Sequence, residues 1–254
     1  MELFGIDLAA IAPFIAIGFA AQLVDGALGM AFGVISNSLM VSVLGLPPAQ
    51  ASQRVHVVEC FTTATSGISH LLHGNIDGRL FARLVVPGVI GGVAGAYLLT
   101  SLDGDAIKPF VLIYLTVMGI YLLARGLLYP PKLREARHIA PLGLIGGFLD
   151  AAGGGGWGPV VTSNLLVQGA EPRKVVGTVN AAEFFLTVAI SATFIFHLGI
   201  ADLAGATLGL LIGGMAAAPF AAFAARHFSP KLMLILVGTA LTLTSSYGVW
   251  AAWS

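Results

Sequence analysis

The sequence predicts an all-α polytopic membrane protein built from two inverted-topology repeats, each a glycine-rich broken or re-entrant helical hairpin plus three transmembrane helices. Three observations lead there. Apolar stretches long enough to span a bilayer recur from end to end. Only 9% of the 254 residues are charged and 57% are hydrophobic, with a mean hydropathy of +0.93, whereas an ordinary soluble domain carries about 25% charged residues. Two of the apolar runs are interrupted by glycine-rich stretches that open on an acid, Asp25 to Ser38 (DGALGMAFGVISNS) and Asp150 to Asn164 (DAAGGGGWGPVVTSN). Finally, the second half repeats the order of the first.

The same composition excludes other classes. Net charge is zero and the pI is near 7, so no basic face recommends nucleic acid. The alternating segments of about ten residues that mark a membrane β-barrel are not evident. Cys60, the only cysteine, rules out an internal disulfide and a four-cysteine metal site and removes the simplest redox relay. The first apolar segment, Leu8 to Leu23, follows Glu2 and Asp7 and no Lys or Arg. It lacks the positive region of a cleavable signal and is expected to stay in the mature protein.

Taken in order, Leu8 to Leu44 is too long for one crossing and must bend at Gly26 to Gly33, since about 20 residues span the hydrocarbon. Pro47 and Pro48 open a long helix that ends near His73, proline being suited to a helix start. His73-Gly-Asn-Ile-Asp-Gly78 is a turn, and Val85 to Ser101 and Ile107 to Leu128 are two more spans. Residues 1–128 thus form the first repeat, and the polar stretch 129–138 is a cytoplasmic linker. Residues 139–254 form the second repeat: a broken segment (Pro141 to Val167), a span opened by Pro172, then spans near Leu203 to Ala225 and Lys231 to Trp250. In the second break, four glycines followed by Trp157, Gly158 and Pro159 cannot continue an α-helix, at about 1 kcal/mol for each glycine and about 3 for proline. A broken backbone at membrane depth is tolerated only where protein or a water-filled cavity receives its free polar groups.

The repeat shows in residue pairs at constant separation: Gly45/Gly169, Pro48/Pro172, Val55/Val179, Glu59/Glu183 and Phe61/Phe185, then Thr63/Thr187 and His73/His197. A one-residue shift aligns Asp25/Asp150, Gly29/Gly154 and Gly33/Gly158. Basic residues set the orientation, because Lys and Arg concentrate in cytoplasmic loops. If each broken segment crossed once, they would divide six to six. If each enters and returns as a hairpin, ten share one side and only Arg54 and Lys108 fall on the other. The hairpin arrangement places both termini outside and inverts the second repeat relative to the first. Inverted repeats with broken helices meeting at mid-membrane are the architecture of many secondary transporters.

With these two repeats and breaks, and above all with Gly-Gly-Gly-Gly-Trp-Gly-Pro-Val-Val-Thr-Ser-Asn-Leu-Leu from Gly153 to Leu166, the chain resembles the sulfite exporter TauE/SafE family of membrane permeases. The resemblance covers nearly the whole chain. It implies movement of small sulfur-containing or organic anions, such as sulfite, sulfonates or sulfoacetate, commonly as export across the cytoplasmic membrane.

An anion at mid-membrane needs donors, and half-helix N-termini supply them. The candidates are Gly33, Ser36, Asn37 and Ser38 on the first hairpin and Trp157, Gly158, Thr162, Ser163 and Asn164 on the second; the alternative is that these small polar residues only pack helices. Arg54 lies about two turns after Pro47 and either binds the anion bidentately or snorkels to the outer interface. Glu59 and Glu183, each about 11 residues after its helix-opening proline, fall near mid-membrane, where they either couple protons to transport or support the opposite hairpin. His56 and Asn180 are equivalent and lie one turn before the acids. The His56-x-x-Glu59 spacing is that of a carboxylate-bridged metal site, but no further ligand is in register, so neither metal nor cofactor is expected. Asp25 and Asp150 are expected to cap backbone N–H groups, with ion binding second. Gly91-Gly92, Gly95 and Gly213-Gly214 read as close helix contacts.

The leading expectation is a secondary carrier for a small anion working by alternating access, with proton coupling through the glutamates. An anion channel on the same scaffold is the alternative. An intramembrane enzyme lacks support, since neither H-E-x-x-H nor G-x-S-x-G occurs. The lipid bilayer is the one certain partner. A homodimer through the small-residue spans is compatible with the sequence, although no specific feature argues for it.

Overall fold

Proline and aspartate set the helix starts. The structure, a computed structural model, describes residues 2–3, 6–28, 30–128, 138–167, 172–201, 203–227 and 229–253. All of the expected linker except His138 falls outside these residues. A short antiparallel pair, β1 (Glu2–Leu3) and β2 (Ile6–Asp7), precedes α1 (Leu8–Leu28). Then come α2 (Phe32–Ser42), α3 (Pro48–Leu72), α4 (Gly78–Ser101) and α5 (Gly104–Leu127). The second half runs through α6 (Ile139–Gly153), a π-helical stretch (Trp157–Thr162) leading into α7 (Ser163–Val167), α8 (Pro172–Leu198), α9 (Leu203–His227) and α10 (Pro230–Trp253). Pro48 stands at the start of α3, where its missing N–H costs nothing. Asp77 and Asp103 cap α4 and α5, each side chain accepting two backbone N–H groups of the first turn.

Among the described residues, four helices are long and apolar enough to cross a membrane: α4, α5, and the bulk of α8 (Lys174–Leu198) and of α10 (Lys231–Ala252). The helix α3 has 25 residues but carries Gln53, Arg54, His56 and Glu59. All four are buried against protein, so the first half of α3 is interior. Large apolar side chains such as Phe61, Val86, Ile90, Phe110, Phe185 and Phe196 are exposed, as a lipid-facing surface requires and a water-facing one does not.

The helices associate in pairs: α1 runs parallel to α9 and α4 parallel to α6, while α5 is antiparallel to α10 and α3 to α8. Matching α1 to α6, α3 to α8, α4 to α9 and α5 to α10 exchanges the first two pairs and maps the last two onto themselves. Glycine permits the closest crossings. A Cβ on Gly91 would strike the Leu144 carbonyl across the α4–α6 contact, and one on Gly213 would strike that of Ile15 across α1–α9. Such small-residue crossings are how helices pack where lipid offers no hydrophobic driving force.

Both breaks are narrower than the glycine clusters suggest. The helix α1 runs on through Gly26 to Leu28, and α6 includes Gly153, because one glycine in a helix costs only about 1 kcal/mol. The second chain reversal occurs where Gly154 and Gly155 take φ of 70° and 144°, which only glycine adopts without strain. Pro159 then sits within the π-helical stretch. The first hairpin is unequal: α1 has 21 residues, but α2 has 11 and reaches only about 16 Å, roughly half the hydrocarbon thickness.

One carboxylate holds each break. Asp25 Oδ1 accepts the Phe32 N–H at 3.1 Å. Asp150 Oδ1 accepts those of Gly156 at 2.7 Å and Trp157 at 2.9 Å. The Asp25–Phe32 and Asp150–Trp157 bonds are equivalent in the repeat alignment. The two breaks also touch: a Cβ on Gly33 would lie 2.9 Å from Gly155 Cα, and one on Gly158 would lie 2.9 Å from Met30 Cβ. The same alignment exchanges these two contacts. Asn37 Nδ2 donates to the Gly153 carbonyl at 2.8 Å and Tyr114 donates to that of Gly155 at 2.8 Å, so the carbonyls freed by the second break find partners inside the protein.

Two outcomes follow for purified protein in detergent, read from thermal unfolding. Gly91→Ala forces α4 and α6 apart and lowers stability by about 1–3 kcal/mol, whereas Gly78→Ala, in open space at the start of α4, raises it by about 0.4–1 kcal/mol. Asp150→Ala strands two N–H groups and Asp25→Ala one, at about 1–3 kcal/mol each when buried, so the first variant is the less stable of the two.

Candidate functional site

The site is built on the antiparallel pair α3 and α8. At one end the Asp77 N–H donates to Thr178 Oγ1 at 2.8 Å and Lys174 Nζ to the Gly74 carbonyl at 2.7 Å. At the other, Gln53 Nε2 donates to the Gly199 carbonyl at 2.8 Å. Along α3, Glu59, Thr62, Thr63, Ser66 and His70 recur at helical spacing on one face, and Val176, Asn180 and Glu183 do the same on α8. Together with both breaks they line a cavity of about 310 Å³, large enough for a small polyatomic anion and its waters. The cavity runs from the crossing of the breaks, beside Glu59 and Glu183, to the end of α3 at His70.

Its electrostatics are one-sided. Asp25, Glu59, Asp150 and Glu183 all line it, two from each half, and no Lys or Arg is among the described lining residues. The backbone supplies the opposite polarity. The first-turn N–H groups of Gly33 and Val34 in α2 have no partner within the helix, and both residues line the cavity.

Beside the cavity wall lies a buried polar cluster. Imidazole Nε2 of His56 is 3.2 Å from Asp150 Oδ2, and its Nδ1 is 2.7 Å from the Ser52 carbonyl. One ligand atom each from His56, Glu59 and Asp150 falls within 4.8 Å of the others. Glu59 Oε1 packs close to Gly33, and its Oε2 is buried without a hydrogen-bond partner.

Of the residues singled out in the sequence, Gly33, Gly158, Asp25, Asp150, Glu59, Glu183 and Asn180 line the cavity. His56 stands behind it in the cluster. Ser38 bonds Ser245 on α10 at 2.9 Å, Asn164 Nδ2 donates to the Val160 carbonyl at 2.7 Å, and Ser163 Oγ contacts Met30 Sδ at 3.6 Å. Thus Ser38 is engaged by another helix, Asn164 by its own helical turn and Ser163 by the first break, and Ser36, Asn37 and Thr162 are buried away from the lining. Trp157 is fully buried, its ring NH donating to the Val179 carbonyl at 3.2 Å. Arg54 is buried on α3 before Glu59, its guanidinium donating to the Gln50 carbonyl at 2.9 Å. It lies on the far side of Glu59 from the cavity and does not line it.

Sequence reasoning missed Thr62, Thr63, Ser66 and His70, although their spacing from Glu59 marks one helix face and could have found them. It also missed Tyr114, whose hydroxyl supports the second break from α5. Nothing in the apolar run around that tyrosine signals its role.

Comparison with known proteins places the chain in a family. The chain is 45% identical over 250 residues, 94% of its own length and 83% of the relative's, to the probable membrane transporter protein YtnM of Bacillus subtilis strain 168. A second B. subtilis protein, the probable membrane transporter YunE, is 30% identical over 116 residues, 44% of this chain and 42% of that protein. No solved structure matches. The model of the sulfite exporter TauE/SafE family matches residues 14–248. That match takes in both breaks, the α3–α8 pair and every cavity-lining residue, and the chain therefore belongs to the sulfite exporter TauE/SafE family of membrane transporters.

Proposed function

We propose that this protein is a secondary carrier in the cytoplasmic membrane that exports a small sulfur-containing or organic anion of the sulfite, sulfonate or sulfoacetate class by alternating access, with protons moving on its buried acids. The observation that carries the reading is the cavity at the crossing of the two breaks, lined by matched acids from both halves. The halves 1–128 and 139–254 act as inverted repeats about this crossing, with 129–138 joining them on the cytoplasmic side and both termini outside. The exchange of the α1–α9 and α4–α6 pairings supports this reading, as do the equivalent Asp25 and Asp150 bonds.

Charge gives the coupling. An anion enters a low-dielectric cavity lined by four carboxylates only if positive charge accompanies it. With no lining Lys or Arg, protons on Glu59 and Glu183 supply that charge. The substrate oxygens meet the first-turn N–H groups of α2 and the hydroxyls of Thr62, Thr63 and Ser66. Because the cavity runs toward the α3–α4 connection, near the basic Arg79 and Lys174, the positive-inside rule makes this the cytoplasm-facing state. Arg54, beyond Glu59 toward the other end of α3, then lies where an outward-facing cavity would open and serves the anion in that state.

Flux of sulfite and sulfoacetate into proteoliposomes tests the coupling. An imposed pH gradient drives uphill accumulation in the wild type, and Glu59→Gln or Glu183→Gln lowers that accumulation by about tenfold or more, equivalent to about 1.4 kcal/mol. Flux that ignores the gradient, or currents too large for a stoichiometric carrier, overturns the proposal. The orientation has its own measurement. In a Cys60→Ser background, Ser66→Cys is labelled by a polar maleimide from the cytoplasmic side and is protected by substrate. Labelling only from the outside reverses the assignment.

A further inference from the structure

The cluster behind the cavity carries more than the coupling reading uses. We propose that His56, Glu59 and Asp150 bind one divalent transition-metal cation of the Mn²⁺, Co²⁺ or Zn²⁺ class, which clasps α3 of the first half to the break of the second. From sequence, the His56-x-x-Glu59 pair lacks a third ligand. The fold supplies it, bringing Asp150 from 94 residues away to within 3.2 Å of the imidazole.

Hydrogen-bond accounting leads to the cation. The Ser52 carbonyl, 2.7 Å from His56 Nδ1, can only accept, so Nδ1 carries the proton. In the neutral ring Nε2 then presents a lone pair to Asp150 Oδ2 at 3.2 Å. Asp150 has committed Oδ1 to the N–H groups of Gly156 and Trp157, and Oδ2 faces the ring. Glu59 Oε2, on a side chain only 6% exposed, has no hydrogen-bond partner. Two facing acceptors and an orphaned carboxylate oxygen are costly in a buried site unless a positive charge lies among them. A dication balances the two carboxylates and leaves the cluster neutral.

The donor set indicates the class. One imidazole nitrogen with two carboxylates suits first-row transition ions better than alkali or alkaline-earth ions. A 3.2 Å ligand–ligand separation corresponds to two bonds of about 2.2 Å meeting near a right angle. The Ser52 carbonyl on Nδ1 is the outer partner that fixes the tautomer of a metal-ligating histidine. Through Asp150, which holds both Gly156 and Trp157, the bound ion sets the geometry of the second break, whichever anion is carried.

Protein purified without chelator, stripped with EDTA and reloaded with Co²⁺ gives the test. The expected result is stoichiometric Co²⁺ with a visible d–d absorption band, displacement of that band by Zn²⁺ but not by Ca²⁺ or Na⁺, and a higher thermal transition by mass action. Glu59→Gln, whose Oε2 has no hydrogen-bond partner to lose, and Asp150→Asn, which can keep the backbone cap, weaken Co²⁺ binding by more than about 100-fold, while Cys60→Ser keeps the band. Absence of the band and of the thermal shift in the wild type overturns the proposal. So does binding that is unchanged in Glu59→Gln. Sulfite flux on the same preparations separates the two readings, since coupled transport by protein that binds no metal overturns the metal site and leaves the carrier standing.

Discussion

Everything in this fold depends on the contact between two interrupted helices. Gly33 and Gly155 meet backbone to backbone, and Gly158 meets Met30, with no room at any of the three glycines for a Cβ. An interruption at membrane depth exposes polar backbone that hydrocarbon cannot satisfy. The protein answers from within: Asp25 and Asp150 accept the N–H groups, and Asn37 and Tyr114 donate to the carbonyls. The burial of the first half of α3, the polar face of α8 and the cavity between them all follow from having to surround this crossing with protein.

The second constraint is charge. Four carboxylates converge on one cavity from both halves, although anions are what the family name connects with transport. An acid-lined site and an anionic substrate are compatible only if cations travel with the substrate or reside beside it. In the proposed carrier, protons on the glutamates meet the first condition; in the proposed metal site, an ion held by His56, Glu59 and Asp150 meets the second. The two arrangements share Glu59, and the state of the cluster and the shape of the second break are linked through a single carboxylate, that of Asp150. That carboxylate bonds the break with one oxygen and faces the imidazole with the other.

Much of this was legible in the chain. The apolar stretches, the proline-opened helices and the pairing of Glu59 with Glu183 and Asp25 with Asp150 are local or periodic features, and periodicity survives in one dimension. The limits of the breaks were less legible. A helix tolerates isolated glycine, so Gly26 and Gly153 remain helical, and only the positive φ of Gly154 and Gly155 marks the reversal. Arg54 shows a different limit, since the sequence does not say on which side of Glu59 the cavity opens. A lone cation in an apolar helix attracts a substrate-binding reading, but its position along α3 puts it on the other side of Glu59 from the cavity.

The sequence by itself determined that this is a helical membrane transporter with two broken segments and which acids belong to them, because hydropathy, proline and glycine act within a few residues of where they stand. Only the tertiary structure decided what those residues face. Packing of α3 against α8 turned Thr62, Thr63, Ser66 and His70 into a cavity wall, and the crossing of the breaks carried Asp150 to His56 across 94 residues of chain. Such convergence depends on how helices cross in three dimensions, where a glycine that admits a neighbouring backbone matters as much as the side chains that do the chemistry.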